Sequence, residues 1–238
     1  MSRTVVISQP MFLPWHGLFE QIRFADVYMH YDDVLMPTSS SFINRVQVLQ
    51  GSSIAWLTAP IENSSGKLIR DVKFAENIHW RKKHIKTLVQ AYRGKEFGED
   101  AVELIQKIYA NSTHFLSEFN VHSIETLSEY LGISREFVSS SSHPSSSSST
   151  ERLLELVLAL GGTTYLTGHG AKNYMNFGLF EEHGIQVDFI DYARDAWPQS
   201  RDAFTPYVTI LDAIANAGRK SVEYMKSNQV GWKEFCNG

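Results

Sequence analysis

The chain has 238 residues, 43% hydrophobic and 20% charged, which describes a folded globule long enough to build its core without disulfides or metals. Its 22 Lys and Arg against 26 Asp and Glu give a net charge of −4, which argues against a protein living by nucleic-acid phosphate neutralisation. The single cysteine, Cys236, can close no internal disulfide, no apolar run reaches the roughly 20 residues of a membrane span, and the first ten residues lack a signal-peptide layout, so a cytoplasmic protein is expected.

Thr4-Val5-Val6-Ile7-Ser8 is a short β-branched run that suits a strand buried on both faces. Gln9 to Gly17 holds two prolines and reads as an irregular loop. Leu18, Phe19, Ile22 and Ala25 then recur at helical spacing, and Val27 to Val34 reads as a second strand. This is a compact βαβ unit, which favours parallel pairing. Strands are expected over 42–49, 54–61 and 69–74, then helices over 79–92, 100–109 and 113–131, with Gly132 ending the last.

Ser139 to Ser149 contains nine serines and reads as a flexible loop or linker. Ser148 and Glu151 have capping-box spacing for a helix over 150–160. A strand over 163–167, the loop Gly168-His169-Gly170-Ala171-Lys172, broken helix over 173–182, a strand over 185–190 and helices over 208–217 and 221–227 complete the chain. The expectation is an α/β fold: a mixed, mainly parallel sheet flanked by helices, with a largely helical middle. Residues 1–138 and 150–238 are read as two parts of one compact domain joined by 139–149.

Ligands of α/β sheets sit at the carboxyl ends of the strands. Two loops meet that condition. In the first, Gln9 offers an amide, His16 an imidazole, and Phe12 and Trp15 flat walls, unless the two aromatics simply cover the strand end. In the second, Gly168 and Gly170 let backbone approach a phosphate, Lys172 adds charge and His169 lies between; a plain tight turn is the alternative. Neither a Walker loop nor a full dinucleotide fingerprint is present.

On the second strand, His30 and Asp32 would share one face and Asp33 the other. The paired aspartates are expensive to bury without a cation or donors, so either one anchors or deprotonates an amine or one caps the next loop. Asn44 and Arg45 are within reach if the strands pair. A divalent metal at His30 and Asp32 is a lesser alternative, since no second histidine-rich pair has matching spacing; His79 and His84 lie about 140° apart around a helix and cannot share an ion, and no metal site is assigned. The working picture places the Gln9–Gly17 loop and the Gly-His-Gly turn across one cleft, with the aspartates between.

Ser8-Gln9-Pro10-Met11-Phe12-Leu13-Pro14-Trp15-His16-Gly17 resembles the Q-P-x-[YF]-x-P-W-x-G signature of the WbqC-like family. Supporting segments follow in order, among them Asp32-Asp33-Val34, Asn44-Arg45, Trp80 to His84, Tyr165 to Gly168 with Tyr174, and Leu211-Asp212. The chain departs from the family in having Ser8 where histidine is usual and His16 where an aliphatic residue is usual. The resemblance implies a role in bacterial surface-polysaccharide (O-antigen) biosynthesis: transfer of an acyl or aminoacyl group to a nucleotide-linked amino sugar. Asp32, Asp33, His16 and His30 would carry the chemistry, and Gln9, Phe12, Trp15, Asn44, Arg45, Gly168, His169, Gly170, Lys172 and Tyr174 would bind substrate. The donor would be an acyl thioester or a carrier protein, although the acidic balance offers an acidic carrier no basic docking face. A nucleotidyltransferase-like enzyme and a non-catalytic sugar-nucleotide-binding module are the alternatives.

Overall fold

The computed structural model describes residues 2–38, 41–75 and 79–237. The β-branched run forms β1 (Thr4–Ser8), followed by α1 (His16–Phe24) and β2 (Val27–His30), which pairs parallel to β1 with Val5 opposite Val27. β3 (Arg45–Gln50) and β4 (Ser53–Thr58) make a separate antiparallel hairpin. The helical middle is α2 (Trp80–Tyr92), α3 (Gly98–Ala110) and α4 (Leu116–Tyr130). The chain returns to the sheet as β5 (Glu136–Ser139), then runs through α5 (Ser149–Ala159), β6 (Thr164–Thr167), α6 (Phe177–Glu182), β7 (Gln186–Asp191), α7 (Ile210–Ala217), β8 (Asn228–Gly231) and α8 (Trp232–Asn237).

The main sheet has the order β5-β2-β1-β6-β7-β8, parallel except for β8. The fold is therefore α/β with a mixed, mostly parallel sheet between helices. The chain reverses its direction of growth across the sheet between β1 and β6. Alternation along each strand splits the core into two. Val6, Tyr28, Leu166 and Ile190 face one apolar cluster that includes α1, α4 and α7. Val5, Ile7, Val27, Met29, Tyr165 and Val187 face the other, packed with α5 and α6. Every residue of β2 and β6 is buried, as an interior parallel strand requires. Among the described residues, no helix is long and apolar enough to cross a membrane.

Several elements differ from the sequence reading. β2 stops at His30, because the Asp32 N–H turns back to the His30 carbonyl (3.1 Å). The run 69–74 is a 3-10 turn, Ile69–Asp71, with isolated bridges on either side rather than a strand. The serine-rich segment supplies the last residue of edge strand β5 and a 3-10 turn, Ser140–Ser142. Ser148 is the N-cap of α5 but makes no side-chain cap bond; the Glu155 carboxylate instead receives Ser145 and Ser147 hydroxyls. The expected helix over 221–227 is 3-10 structure, Gly218–Tyr224, leading into β8.

Candidate functional site

Where β1 and β6 lie side by side, their carboxyl ends open into a cavity of about 520 Å³. A crevice of this kind forms wherever two neighbouring parallel strands send their following segments to opposite faces, and it is the usual ligand position in open α/β sheets.

One wall is the proline loop. Phe12 N–H donates to the Phe42 carbonyl (2.8 Å), the Pro10 carbonyl accepts from the Asn120 amide (2.9 Å) and the Pro14 carbonyl accepts from Ile210 N–H (2.8 Å). Leu13 is held in the left-handed region at φ 42°, an unusual conformation for leucine, between these anchors. The result turns Phe12 into the core, stacked on Phe119 at 5.5 Å, and leaves Trp15 half-buried on the cavity wall beside Tyr192 and Tyr207. The Trp15 ring lies on Gly17, where a Cβ would come within 2.2 Å of it.

The opposite wall is the Gly-His-Gly turn. Gly168, His169, Gly170 and Ala171 line the cavity, and His169–Asn173 is a 3-10 turn. His169 Nε2 lies 2.8 Å from the Ile190 carbonyl, so this nitrogen carries the hydrogen and Nδ1 is the basic one. Tyr192 and Phe235 flank the imidazole at 5.2 and 4.8 Å. Gly170 has an ordinary backbone conformation, and a Cβ there would meet nothing within 4 Å.

Gln9 and Tyr174 line the same cavity, as do Ser8, Thr167, Tyr31, Gln21, Tyr192 and Arg194. Gln21 reaches across to the Tyr192 hydroxyl. Burial holds the phenols of Tyr31, Tyr174 and Tyr192 above their ordinary value, so all three are neutral donors. Arg194 stands at φ 54°, its guanidinium 5.9 Å from the Tyr207 ring and paired with no carboxylate among the described residues. Of the described residues that line the cavity, none is an Asp or Glu. The sequence reading missed Arg194, Tyr192 and Gln21; the stretch directly after β7 is itself a strand's carboxyl end, which was the available signal.

The other nominated residues lie elsewhere. The Ser140 hydroxyl is 3.1 Å from Asp32 Oδ1 and 2.5 Å from Asp33 Oδ1. Ser141 N–H and Oγ–H add bonds to Asp32 of 3.0 and 2.9 Å, and Arg152 donates to Asp33 at 2.9 Å. The aspartates thus tie down the serine-rich turn instead of facing the cleft. His16 is buried, stacked on Trp197 at 5.0 Å, with Nδ1 3.3 Å from Glu20 and Nε2 3.4 Å from the Ser221 carbonyl. His30 is buried against Phe137, 3.4 Å from Glu125. Asn44 donates to the Ala59 carbonyl, Arg45 covers Trp56 at 4.1 Å, and Lys172 points to the Phe235 ring at 5.7 Å. Among the described residues no three His, Cys, Asp or Glu side chains converge as metal ligands do.

No solved structure matches the chain. It is 28% identical over 229 residues to the uncharacterized protein Rv1507c of Mycobacterium tuberculosis, covering 94% of this chain and 98% of that protein. The profile of the WbqC-like protein family matches residues 9–224, from the Gln-Pro of the cavity wall to the turn before β8. The chain belongs to the WbqC-like protein family.

Proposed function

We propose that the β1–β6 cleft binds a nucleotide-linked amino sugar and that the protein transfers an acyl or aminoacyl group to the sugar amine, as a step in bacterial surface-polysaccharide assembly. The observation that carries this reading is one cavity walled by both the Gln9–Gly17 loop and the Gly168–Gly170 turn. Trp15 and Tyr174 offer faces for a base or sugar ring, and Arg194, with no carboxylate partner among the described residues, suits a diphosphate. Backbone N–H groups of the glycine turn supplement it.

The general base in this reading is His169 Nδ1 rather than Asp32 or Asp33, whose oxygens are occupied by Ser140, Ser141 and Arg152. The amine nitrogen attacks the carbonyl carbon of an acyl thioester; the C–N bond forms, the C–S bond breaks, the amine proton passes to Nδ1 and the thiolate leaves. Such a base supplies about 10²–10⁴-fold. The test is a thermal-shift panel of uridine, guanosine and thymidine diphosphate sugars against ATP and acyl-coenzyme A. Protection by diphosphate sugars that is lost in Arg194→Ala supports the reading, and protection by ATP alone replaces it with nucleotidyl transfer. That second reading would need a histidine of the α1 entry in the cleft, whereas His16 is packed under Trp197. Binding without turnover would make the protein a non-catalytic sugar-nucleotide-binding module.

A further inference from the structure

A second cavity, of about 470 Å³, lies between the β3–β4 hairpin, α2 and the start of α7, and it shares no lining residue with the β1–β6 cleft. Asp212, only 2% exposed, forms part of its wall. The carboxylate accepts the Trp197 indole N–H at Oδ2 (2.8 Å). Burial pushes its pKa up, against the hydrogen bonds from Trp197 and Gln199 and the charge of Lys95. A carboxylate this deep needs donors, a cation or a proton of its own, and Trp197 and Gln199 supply the donors. No ion pair to Asp212 forms among the described residues, and Lys95, which lines the same cavity, gives its ammonium to the Ser200 hydroxyl. The cavity therefore holds one acid and one base that do not touch each other, while Leu49 and Ala91 supply an apolar wall.

We propose that this cavity is a binding site for a free α-amino acid. The ligand ammonium sits on Asp212, the ligand carboxylate on Lys95 and the Ser200 hydroxyl, and the side chain runs along Leu49 and Ala91. A zwitterion supplies each of the two charges with its opposite in one step, which neither a simple amine nor a simple anion does. Charge-assisted hydrogen bonds of this kind are about twice as strong as neutral ones. The site is independent of what the β1–β6 cleft binds.

The probe is an equimolar pool of the twenty standard amino acids, read by saturation-transfer NMR on the full chain. At least one amino acid is expected to show transfer, with its N-acetyl and carboxamide forms binding at least tenfold more weakly. Asp212→Asn, which keeps an acceptor for Trp197, and Lys95→Gln, a partly exposed position, should each weaken binding at least tenfold, while Arg194→Ala in the cleft leaves it unchanged. If Asp212→Asn unfolds, Lys95→Gln alone decides. The proposal is overturned if no member of the pool shows transfer, if Lys95→Gln binds as the parent does, or if Arg194→Ala abolishes the signal.

Discussion

The indole of Trp15 lies flat on Gly17, so closely that a methyl group at position 17 would stand 2.2 Å from the ring. This one contact explains why the loop ends in Trp-x-Gly. The glycine clears the first turn of α1, and the indole fills that space as a cavity wall beside Tyr192. Gly17→Ala should push the indole out of place. Overpacking of this kind costs about 1–3 kcal/mol, and the shift should appear as altered tryptophan fluorescence together with weaker nucleotide-sugar binding. Unaltered emission and affinity would mean that the ring is free to move.

His169 carries the proposed proton transfer, and its side chain is largely outside the core. His169→Ala should lower the transfer rate by about 10²–10⁴-fold while leaving the melting temperature close to the parent's. A rate within threefold of the parent would remove His169 from the chemistry.

Gly170 separates the two explanations of the glycine turn. Its φ is unexceptional and space around it is open, so Gly170→Val should fold as well as the parent. If the turn cradles a phosphate, the valine side chain will still weaken ligand affinity at least tenfold, as titration calorimetry would report. Equal affinity would leave a connecting turn and nothing more.

Asp33 and Arg152 form an ion pair with side chains 15% and 7% exposed. Removing one member of a buried pair costs about 3–5 kcal/mol, so Arg152→Ala should shift the urea midpoint strongly. Asp33→Asn should also lose stability, by about 1–3 kcal/mol. An Asp33→Asn protein of full stability and no transfer activity would return the aspartate to the reaction.

His84 gives the fold a pH dependence. Burial lowers its pKa to about 4 from 6.5, opposed by its bond to the Thr58 carbonyl. Nε2–H donates to that carbonyl and Nδ1 accepts from the Tyr109 hydroxyl, each at 3.1 Å, so the neutral ring is fully satisfied. A depressed folded-state value means that the unfolded chain binds the proton first. Stability is then whole above about pH 6.5 and drains away as pH falls towards 4. Each tenfold rise in proton concentration across that window removes at most about 1.4 kcal/mol. Denaturant titrations of His84→Gln should show a flatter profile over that window than the parent. Parallel profiles would assign the acid sensitivity to other groups.

Much of this architecture was legible in residue patterns. The β-branched run at Thr4–Ser8, the prolines at 10 and 14 and the small residues after Thr167 marked the two cleft walls, because backbone chemistry constrains such stretches locally. Strand alternation does not extend to Asp32 and Asp33, because the chain already bends after His30. Their partners, Ser140, Ser141 and Arg152, are more than a hundred residues away, and a composition rich in serine hides that role. β5 and β8 were missed because Glu136-Phe-Val-Ser and Asn228-Gln-Val-Gly are too short and too polar to signal a strand; each lies at a sheet edge, where neighbours do the specifying. Arg194 follows β7 with no glycine or proline to punctuate it.

The passage from β2 to β5 takes in the hairpin, the 3-10 turn and three helices before the chain lays its next strand beside β2. The closure cost grows only slowly with loop length, but it must be met before the distant pairing rewards it, which slows that pairing. The β1–α1–β2 unit can therefore form early from near neighbours in the chain, whereas β5 must wait for everything between. Until β5 docks, β2 has an open pairing edge, so refolding at low protein concentration should raise the yield of native protein over refolding at high concentration.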